Sequence, residues 1–147
     1  MGGTRFVGKA LVNQLLAKGY DLSLFTRGNR SIPKNVEHII GDRNNLMSLE
    51  ALSGRKFDFI IDTSGRNLDQ TKNVIKFTGK PKKRFIYLSS AGVYKRSDIL
   101  PIDEKTEVDL QSRHIGKYET EQWLANNEIS FTSIRPTYIY GPGNYNP

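Results

Sequence analysis

Short apolar runs alternate with helical stretches along this chain, and that alternation restricts the possible folds more than any other feature. Apolar runs of strand length occupy residues 22–25, 36–40, 57–61, 84–88 and 131–134. Helical periodicity lies around and between them, over residues 7–16 (closed by Gly19), 46–52, 67–78 and 112–126. Strands that alternate with helices in this rhythm form a parallel sheet with helices on both faces. The sequence therefore predicts a doubly wound α/β domain.

A glycine-rich turn, Gly2-Gly3-Thr4-Arg5-Phe6-Val7-Gly8, opens the first helical stretch. Glycines let the backbone approach a pyrophosphate closely, and the amides of the following helix N-terminus receive its charge. The next strand ends at Arg27, 19 residues after Gly8, as in a dinucleotide-binding unit. The alternative is a plain glycine turn. The residues predicted to bind the cofactor here, in a Rossmann-type sheet, are Gly2, Thr4, Arg5, Phe6, Val7 and Gly8.

The same turn predicts that the domain is incomplete. A preceding strand is needed to bring the chain to the phosphates, yet only Met1 precedes Gly2. In the usual strand order, 3-2-1-4-5-6, that strand is the central one. We therefore expect residues 1–147 to be an incomplete NAD(P)-binding Rossmann domain, a fragment that lacks its first strand and a C-terminal substrate domain.

The residue that follows the predicted strand over residues 22–25 bears on the choice of cofactor. An acidic residue there would bind the ribose hydroxyls of NAD, whereas an arginine accommodates the 2′-phosphate of NADP. This chain has Arg27, and Arg5 in the glycine turn is close enough in principle to join it. We expect NADP rather than NAD. The alternative is that Arg27 is a solvated loop residue.

Positive charge is concentrated in one segment. The chain carries +7, but residues 66–96 alone carry +8 and the remainder carries −1. A local excess of this size favours a polyanionic partner, such as nucleic acid or a phosphorylated ligand. The alternative is a solvated helix face followed by a lysine-rich turn. The candidate residues for binding RNA are Lys72, Lys76, Lys80, Lys82, Lys83 and Arg84.

Composition excludes several other kinds of site. The chain has no cysteine, so disulfides, thiolate catalysis and zinc–sulfur sites are excluded. His38 and His114 have no partner at metal-ligand spacing, so we expect no metal. No apolar run approaches the ~20 residues that span a bilayer, so we expect no membrane partner.

Four motifs together resemble the extended short-chain dehydrogenase/reductases, the NAD-dependent sugar-nucleotide epimerases and dehydratases. They are Gly2–Gly8, Gly41-Asp42, Tyr87–Tyr94 (Tyr-Leu-Ser-Ser-Ala-Gly-Val-Tyr) and Arg135–Gly143 (Arg-Pro-Thr-Tyr-Ile-Tyr-Gly-Pro-Gly). They stand in the family's order and reach from one end of the chain to the other. The resemblance implies an NAD(P) cofactor and a nucleotide-sugar substrate.

The resemblance also implies roles for single residues. Asp42, with Arg43 beside it, contacts the adenine, and Thr63-Ser64 line the cofactor after the next strand. Ser90 is the catalytic serine, Lys117 is the lysine that serves both catalysis and the cofactor, and the turn at Pro136 borders the nicotinamide.

The chain departs from the family where the chemistry is done. The family's catalytic pair is Tyr-x-x-x-Lys, but here the stretch reads Arg113-His114-Ile115-Gly116-Lys117. The reaction needs a phenol that gives and takes back a proton, and arginine stays protonated below pH ~12. Tyr118 projects about 100° away from Lys117 around a helix, so it is a poor substitute. We expect the usual redox activity to be lost.

This substitution and the Gly-Gly-Thr-Arg-Phe turn together resemble the chloroplast stem-loop-binding proteins and their cyanobacterial relatives. That branch keeps the dehydrogenase fold and is associated with RNA. Three hypotheses stay open: a dinucleotide-binding protein with an atypical site, an RNA-binding protein on that scaffold, and an enzyme that recruits another acid or base. We expect a cytoplasmic protein, or one of the plastid stroma if the source is a plant.

Overall fold

The computed structural model describes residues 1–98 and 100–144, which alternate between strands and helices as predicted. The strands are β1 (Ser23–Thr26), β2 (Glu37–Ile40), β3 (Phe59–Asp62), β4 (Arg84–Leu88) and β5 (Phe131–Ile134). The helices are α1 (Phe6–Ala17), α2 (Leu46–Leu49), α3 (Leu68–Thr78) and α4 (Ile115–Asn126), and single 3-10 turns follow at Glu50–Leu52 and Ala91–Val93. None of the helices in the described ranges is long and apolar enough to cross a membrane.

The strands form two parallel sheets that are joined by the first residues of the chain. β1 pairs with β2, and β4 pairs with both β3 and β5. The Met1 ammonium donates to the Ile61 carbonyl at 2.8 Å, and the Thr63 amide donates to the Met1 carbonyl at 3.2 Å. On the other side, the Gly2 amide donates to the Phe25 carbonyl at 3.4 Å. Met1 therefore lies between β1 and β3, in the central position of a Rossmann-type sheet.

Helices cover both faces of the β1–β2 sheet. Leu24 and Phe25 are consecutive in β1, so their side chains point to opposite faces. Leu24 packs with Val12 of α1, whereas Phe25 packs with Leu49 of α2 and Val74 of α3. This arrangement confirms the predicted doubly wound α/β fold.

The β3–β5 sheet has its own core on the face that α3 and α4 cover. Ile60, Phe85 and Tyr87 pack there with Leu124 of α4 and with Ile129. Phe85 and Tyr87 are fully buried because central parallel strands are covered by neighbours on each side.

The predicted helix over 112–126 begins three residues later than expected. Ser112 and His114 form a turn in which the Ile115 amide donates to the Ser112 carbonyl and the His114 amide donates to Ser112 Oγ. The prediction for this stretch was therefore wrong at its start. The position that carries a tyrosine in the family, Arg113, consequently lies in this turn before α4.

Candidate dinucleotide site

The glycine turn passes so close to its neighbours that side chains would not fit. A Cβ atom on Gly2 would lie 2.5 Å from Thr63 Oγ1, and one on Gly8 would lie 2.7 Å from the Gly3 backbone nitrogen. Gly2 and Gly3 also adopt φ values of 83° and 104°, which side chains disfavour. The turn therefore requires glycine at these positions, as the close packing of a dinucleotide-binding turn does.

The N-terminus of α1 is left free by its capping residue. Arg5 precedes the helix with φ −135° and ψ 147°, and its side chain makes no capping hydrogen bond. Because this backbone conformation is open to any residue, the structure accommodates Arg5 where the family has glycine. The first amides of α1 point away from intrahelical partners and are available to an anion.

Phe6 starts α1 with a φ of 34°, in the region that favours glycine. Such strain costs about 1–3 kcal/mol and is concentrated at functional sites. A Cβ atom on Gly141 would lie 3.8 Å from the Phe6 ring, so the Gly141 turn meets the glycine turn at the same edge. Thr4 and Val7, the other predicted residues of this turn, are partly exposed.

The end of β1 carries an exposed arginine in a tight turn. Gly28, with φ 78°, donates its amide to Thr26 Oγ1, which also pairs with His38 Nε2 at 2.8 Å. These contacts fix the backbone on both sides of Arg27, whose side chain is exposed. Arg27 therefore lies exposed at the carboxyl end of β1, and its role toward a cofactor stays a prediction.

Asp42 follows β2 and forms a local turn. Its Oδ1 accepts hydrogen bonds from the backbone and side-chain nitrogens of Asn44, at 2.9 and 3.0 Å. Asp42 is partly exposed, and a Cβ on the preceding Gly41 would lie 2.6 Å from the Phe25 ring. The loop is thus held close over β1, at the same edge as Arg27.

Arg43 does not share this exposed position. Its guanidinium is buried and donates to both carboxylate oxygens of Asp62, at 2.8 and 2.7 Å. It also donates to Ser64 Oγ at 3.0 Å and to the Gln70 carbonyl at 3.3 Å. The structure therefore directs Arg43 into the protein, where it holds the loops after β2 and β3 together.

Asp62 organises the loop that carries Thr63 and Ser64. Its Oδ1 accepts hydrogen bonds from the amides of Ser64 and Gly65, at 3.0 and 2.9 Å. Burial acts to raise the pKa of Asp62, but the hydrogen bonds and charge of Arg43 hold that pKa below its ordinary value. Thr63 and Ser64 are thereby placed beside the glycine turn, next to Gly2.

Ser90, Lys117 and Pro136 are brought together at the ends of β4 and β5. Lys117 Nζ donates to the Leu88 carbonyl at 2.7 Å, and Ser90 follows Leu88 by two residues. The amide of the residue after Ser90 donates to the Pro136 carbonyl at 2.9 Å. Burial lowers the pKa of the Lys117 ammonium, which also donates to the Gly65 carbonyl at 2.9 Å.

A cleft of about 840 Å³ opens beside these residues, lined by Ser90, Arg113, His114 and Pro136 among others. The Arg113 Nε donates to His114 Nε2 at 3.1 Å. Burial and then the charges of Arg113 and Lys117 lower the pKa of His114. The cleft therefore presents the Arg113 guanidinium and the His114 imidazole beside Ser90. Tyr118 lines a different cleft, with Leu110 and Trp123.

Sequence reasoning missed a buried ion pair in the wall of the cleft. Arg135 Nε lies 3.1 Å from both carboxylate oxygens of Glu121, and its NH1 donates to the Tyr94 hydroxyl at 2.8 Å. Ser133 Oγ donates to Glu121 Oε1 at 2.6 Å. Burial acts to raise the pKa of Glu121, but these donors hold it below its ordinary value. The four-residue spacing between Lys117 and Glu121 places both on one helix face, but no sequence signal pairs Glu121 with Arg135.

The predicted basic residues lie away from the glycine turn. Lys72 and Lys76 are exposed along α3, and the others cluster where β3, β4 and β5 begin. Lys80 Nζ donates to the Asn127 carbonyl at 2.7 Å, and Lys82 Nζ lies 3.6 Å from Asp58. We call Lys80, Lys82, Lys83 and Arg84 the basic edge.

Comparison with known proteins places this site in a family. A family model described as NAD(P)H-binding matches residues 2–145. The chloroplast stem-loop binding protein of 41 kDa b, from Arabidopsis thaliana, is 42% identical, over 100% of this chain and 43% of the relative.

Solved epimerase structures share the fold. The UDP-glucose 4-epimerase of Thermotoga maritima, solved with UDP-glucose, has a TM-score of 0.80 at 18% identity, over 97% of this chain and 55% of that chain. The enzyme of Thermus thermophilus, solved with NAD, has a TM-score of 0.76 at 16% identity, over 91% and 52%. The chain thus spans about half the length of these structures and less than half of the Arabidopsis relative.

These findings confirm the resemblance in the motifs: the fold is epimerase/dehydratase-like, and the cofactor class is a nicotinamide dinucleotide. The chain belongs to the NAD(P)H-binding family, within the extended short-chain dehydrogenase/reductases.

Proposed function

We propose that this chain binds NADP at the carboxyl edge of its sheet and has lost the tyrosine-dependent hydride transfer of its family. The observation that supports this most strongly is Arg113, which lies in the cleft beside Ser90 where the family has its phenol. A nicotinamide dinucleotide supplies a hydride donor or acceptor when it is bound. The chain, however, offers a guanidinium that stays protonated in place of a group that exchanges a proton.

The residues proposed to hold the dinucleotide follow the edge from one end to the other. Gly2, Thr4, Arg5, Phe6, Val7 and Gly8 face its pyrophosphate, and Asp42 faces its adenine. Thr63, Ser64, Lys117 and Pro136 lie toward its nicotinamide half. Arg43 supports this edge from below through Asp62.

A preference for NADP over NAD is proposed from the charge at the end of β1. Arg27 is exposed there, at the position where an acidic side chain would bind ribose hydroxyls, and Arg5 lies in the turn at the same edge. Titrating NADPH and NADH against the wild type and Arg27→Asp tests this. We expect the variant to lose its preference, and equal affinities in the wild type would contradict the proposal. Lys18→Asp, directly after the far end of α1, is the control for net charge.

Loss of hydride transfer is tested by restoring the phenol. The wild type should show negligible turnover with nucleotide sugars, the substrate class of the fold relatives. Arg113→Tyr should gain activity, because Ser90 and Lys117 are in place, whereas Arg113→Phe should not. Turnover in the wild type at the level of ordinary epimerases would contradict the proposal and indicate another acid or base.

RNA binding is the second candidate function. The Arabidopsis relative is named for binding a stem-loop. This chain carries positive charge on Lys72 and Lys76 of α3 and on the basic edge. Because phosphate contacts release counterions, Lys80→Ala, Lys82→Ala and Lys83→Ala together should flatten the salt dependence by up to about three units of slope. A matched triple variant at exposed positions elsewhere, Lys18, Lys34 and Lys105, should change it much less. Unchanged RNA binding in the first variant would contradict binding at the basic edge.

If the source is a plant, the relative's chloroplast location favours the plastid stroma.

A further inference from the structure

An exposed aromatic ring lies within the basic edge. Phe59 begins β3 and is 41% exposed, whereas the next residue, Ile60, is buried in the core beneath α4. Since successive strand residues point to opposite faces, the Phe59 ring lies on the face away from that core. Its partner in the parallel register is Arg84, the first residue of β4.

Cations surround this ring. Lys83 Nζ lies 5.6 Å from the centroid of the Phe59 ring. Arg84 NH1 donates to Thr132 Oγ1 at 3.1 Å, which holds the guanidinium across the same face. Asp58 offsets the charge of Lys82, at 3.6 Å, but neither Lys83 nor Arg84 has a carboxylate within salt-bridge distance in residues 1–98 and 100–144.

An exposed ring with two cations beside it restricts which chemical class of partner can bind there. An apolar protein surface that covered Phe59 would also have to desolvate Lys83 and Arg84, which is costly without opposite charge. A nucleotide supplies both parts, since its base has a π-face for the ring and its phosphates have charge for the cations. Unpaired bases in loops are the part of an RNA that can be splayed out and stacked on aromatic side chains.

We propose that Phe59 stacks an unpaired base of an RNA loop while Lys83 and Arg84 bind the adjoining phosphates. This inference rests on the proposed RNA binding and adds a base contact to what would otherwise be recognition of charge alone. Stacking of one base on an aromatic side chain accounts for about a fivefold to hundredfold change in affinity on alanine substitution.

The test compares two labelled stem-loop RNAs by fluorescence anisotropy, one with an adenine-rich loop and one with the same loop made abasic. Phe59→Ala and Phe59→Leu should each weaken binding of the first RNA by about fivefold or more, whereas Phe59→Tyr should bind like the wild type. The abasic RNA should bind the wild type and Phe59→Ala equally. Tyr20→Ala, which removes a 51% exposed ring elsewhere, is the control.

Each contrary result has a distinct meaning. Wild-type affinity in Phe59→Leu would show an apolar contact without stacking, and an equal loss on both RNAs would show that the ring does not contact a base. Either result overturns this inference. If the wild type binds RNA and Phe59→Ala binds it equally well, only this inference fails. If the wild type binds neither RNA at low salt, the proposed RNA binding fails with it. Circular dichroism verifies that the variants are folded.

Discussion

The buried pair of Arg43 and Asp62 joins two loops that are distant in sequence but adjacent at the edge of the sheet. The Asp62 carboxylate is fully buried, and the Arg43 side chain is 9% exposed. Within the described ranges, Arg43 Nε is buried without a hydrogen-bond partner. The guanidinium charge is therefore compensated mainly by the Asp62 carboxylate, which accepts from NH1 and NH2. Removing one member of such a pair leaves the other charge buried and uncompensated.

Asp62→Asn should therefore destabilise the fold by about 3–5 kcal/mol at pH 7, as measured by chemical unfolding. Because the pKa of Asp62 is lowered in the folded state, its ionisation contributes stability above about pH 4, which is lost as the pH falls below that value. The difference between variant and wild type should accordingly shrink as the pH falls below about 4.

Glu37→Gln is the matched control for this prediction. Glu37 accepts two hydrogen bonds from Arg55, but the pair is exposed to solvent, so the substitution should change stability little. An equal effect of the two substitutions would contradict the role assigned to burial.

The positions of several candidate residues were predictable from the sequence because their motifs fix the local backbone. Ser90 and Lys117 lie at one edge of the sheet, and their roles there stay a prediction. Arg43 was expected to contact the cofactor but faces Asp62, because spacing along a loop does not reveal to which side a long side chain turns. The Glu121–Arg135 contact was also outside reach, since it joins residues from different elements.

Among the helices, α1 shows a conflict between local propensity and tertiary contact. Replacing a helical glycine by alanine ordinarily stabilises a helix by about 1 kcal/mol. At Gly8 the new Cβ would lie 2.7 Å from the Gly3 nitrogen, which is backbone and cannot easily move. Gly8→Ala should therefore destabilise the protein and weaken NADPH binding in a fluorescence titration.

Ala10→Gly, at an exposed position of the same helix, serves as the comparison. It should cost about 1 kcal/mol of stability from propensity alone and leave the NADPH affinity close to that of the wild type. Stabilisation by Gly8→Ala would show that the Gly3 backbone can shift to admit a Cβ atom, and would contradict the expected steric conflict.

A strand added between β1 and β3 is expected to stabilise the fold. Met1 reaches it only at the carboxyl ends of those strands, through its contacts with Ile61 and Thr63. An apolar segment of about five to seven residues, fused ahead of Met1, is long enough to pair with both strands.

Such a fusion should raise the free energy of unfolding by ~3 kcal/mol or more, at about 1 kcal/mol for each new backbone hydrogen bond. The measurement is urea unfolding of the two chains. The same segment with alternate residues replaced by proline should give no gain, since proline cannot donate to the ladder. A gain with both segments would contradict pairing in this position.

The strands were predictable because buried parallel strands are short apolar runs that end in polar residues or glycine. The start of α4 was not, because Ser112 and Arg113 carry no strong helix-stop signal. Ser112 instead closes a turn through its own hydroxyl, which accepts the His114 amide. Competition of this kind between side chain and backbone is local and depends on the surrounding contacts.

Taken together, the elements separate the two proposed binding surfaces. The glycine turn follows the carboxyl ends of the strands, whereas the basic edge precedes β4 at their amino ends. Saturating NADP should therefore leave the affinity for a stem-loop RNA nearly unchanged, as measured by anisotropy with and without the dinucleotide. Strong competition between the two ligands would contradict separate sites and would indicate that RNA binds in the cleft beside Ser90.

The all-parallel pairing of these strands also sets how the chain reaches its native state. Partners such as Ser23 and Glu37, Phe59 and Arg84, and Phe85 and Phe131 are 14, 25 and 46 residues apart. Every such pairing closes a long loop before it gains a contact, which makes folding slow relative to helical proteins of this size. While these loops are open, the strand edges of β3, β4 and β5 are exposed to other chains. The topology that creates a cofactor edge thus also leaves the folding chain prone to association with other chains before its sheet is complete.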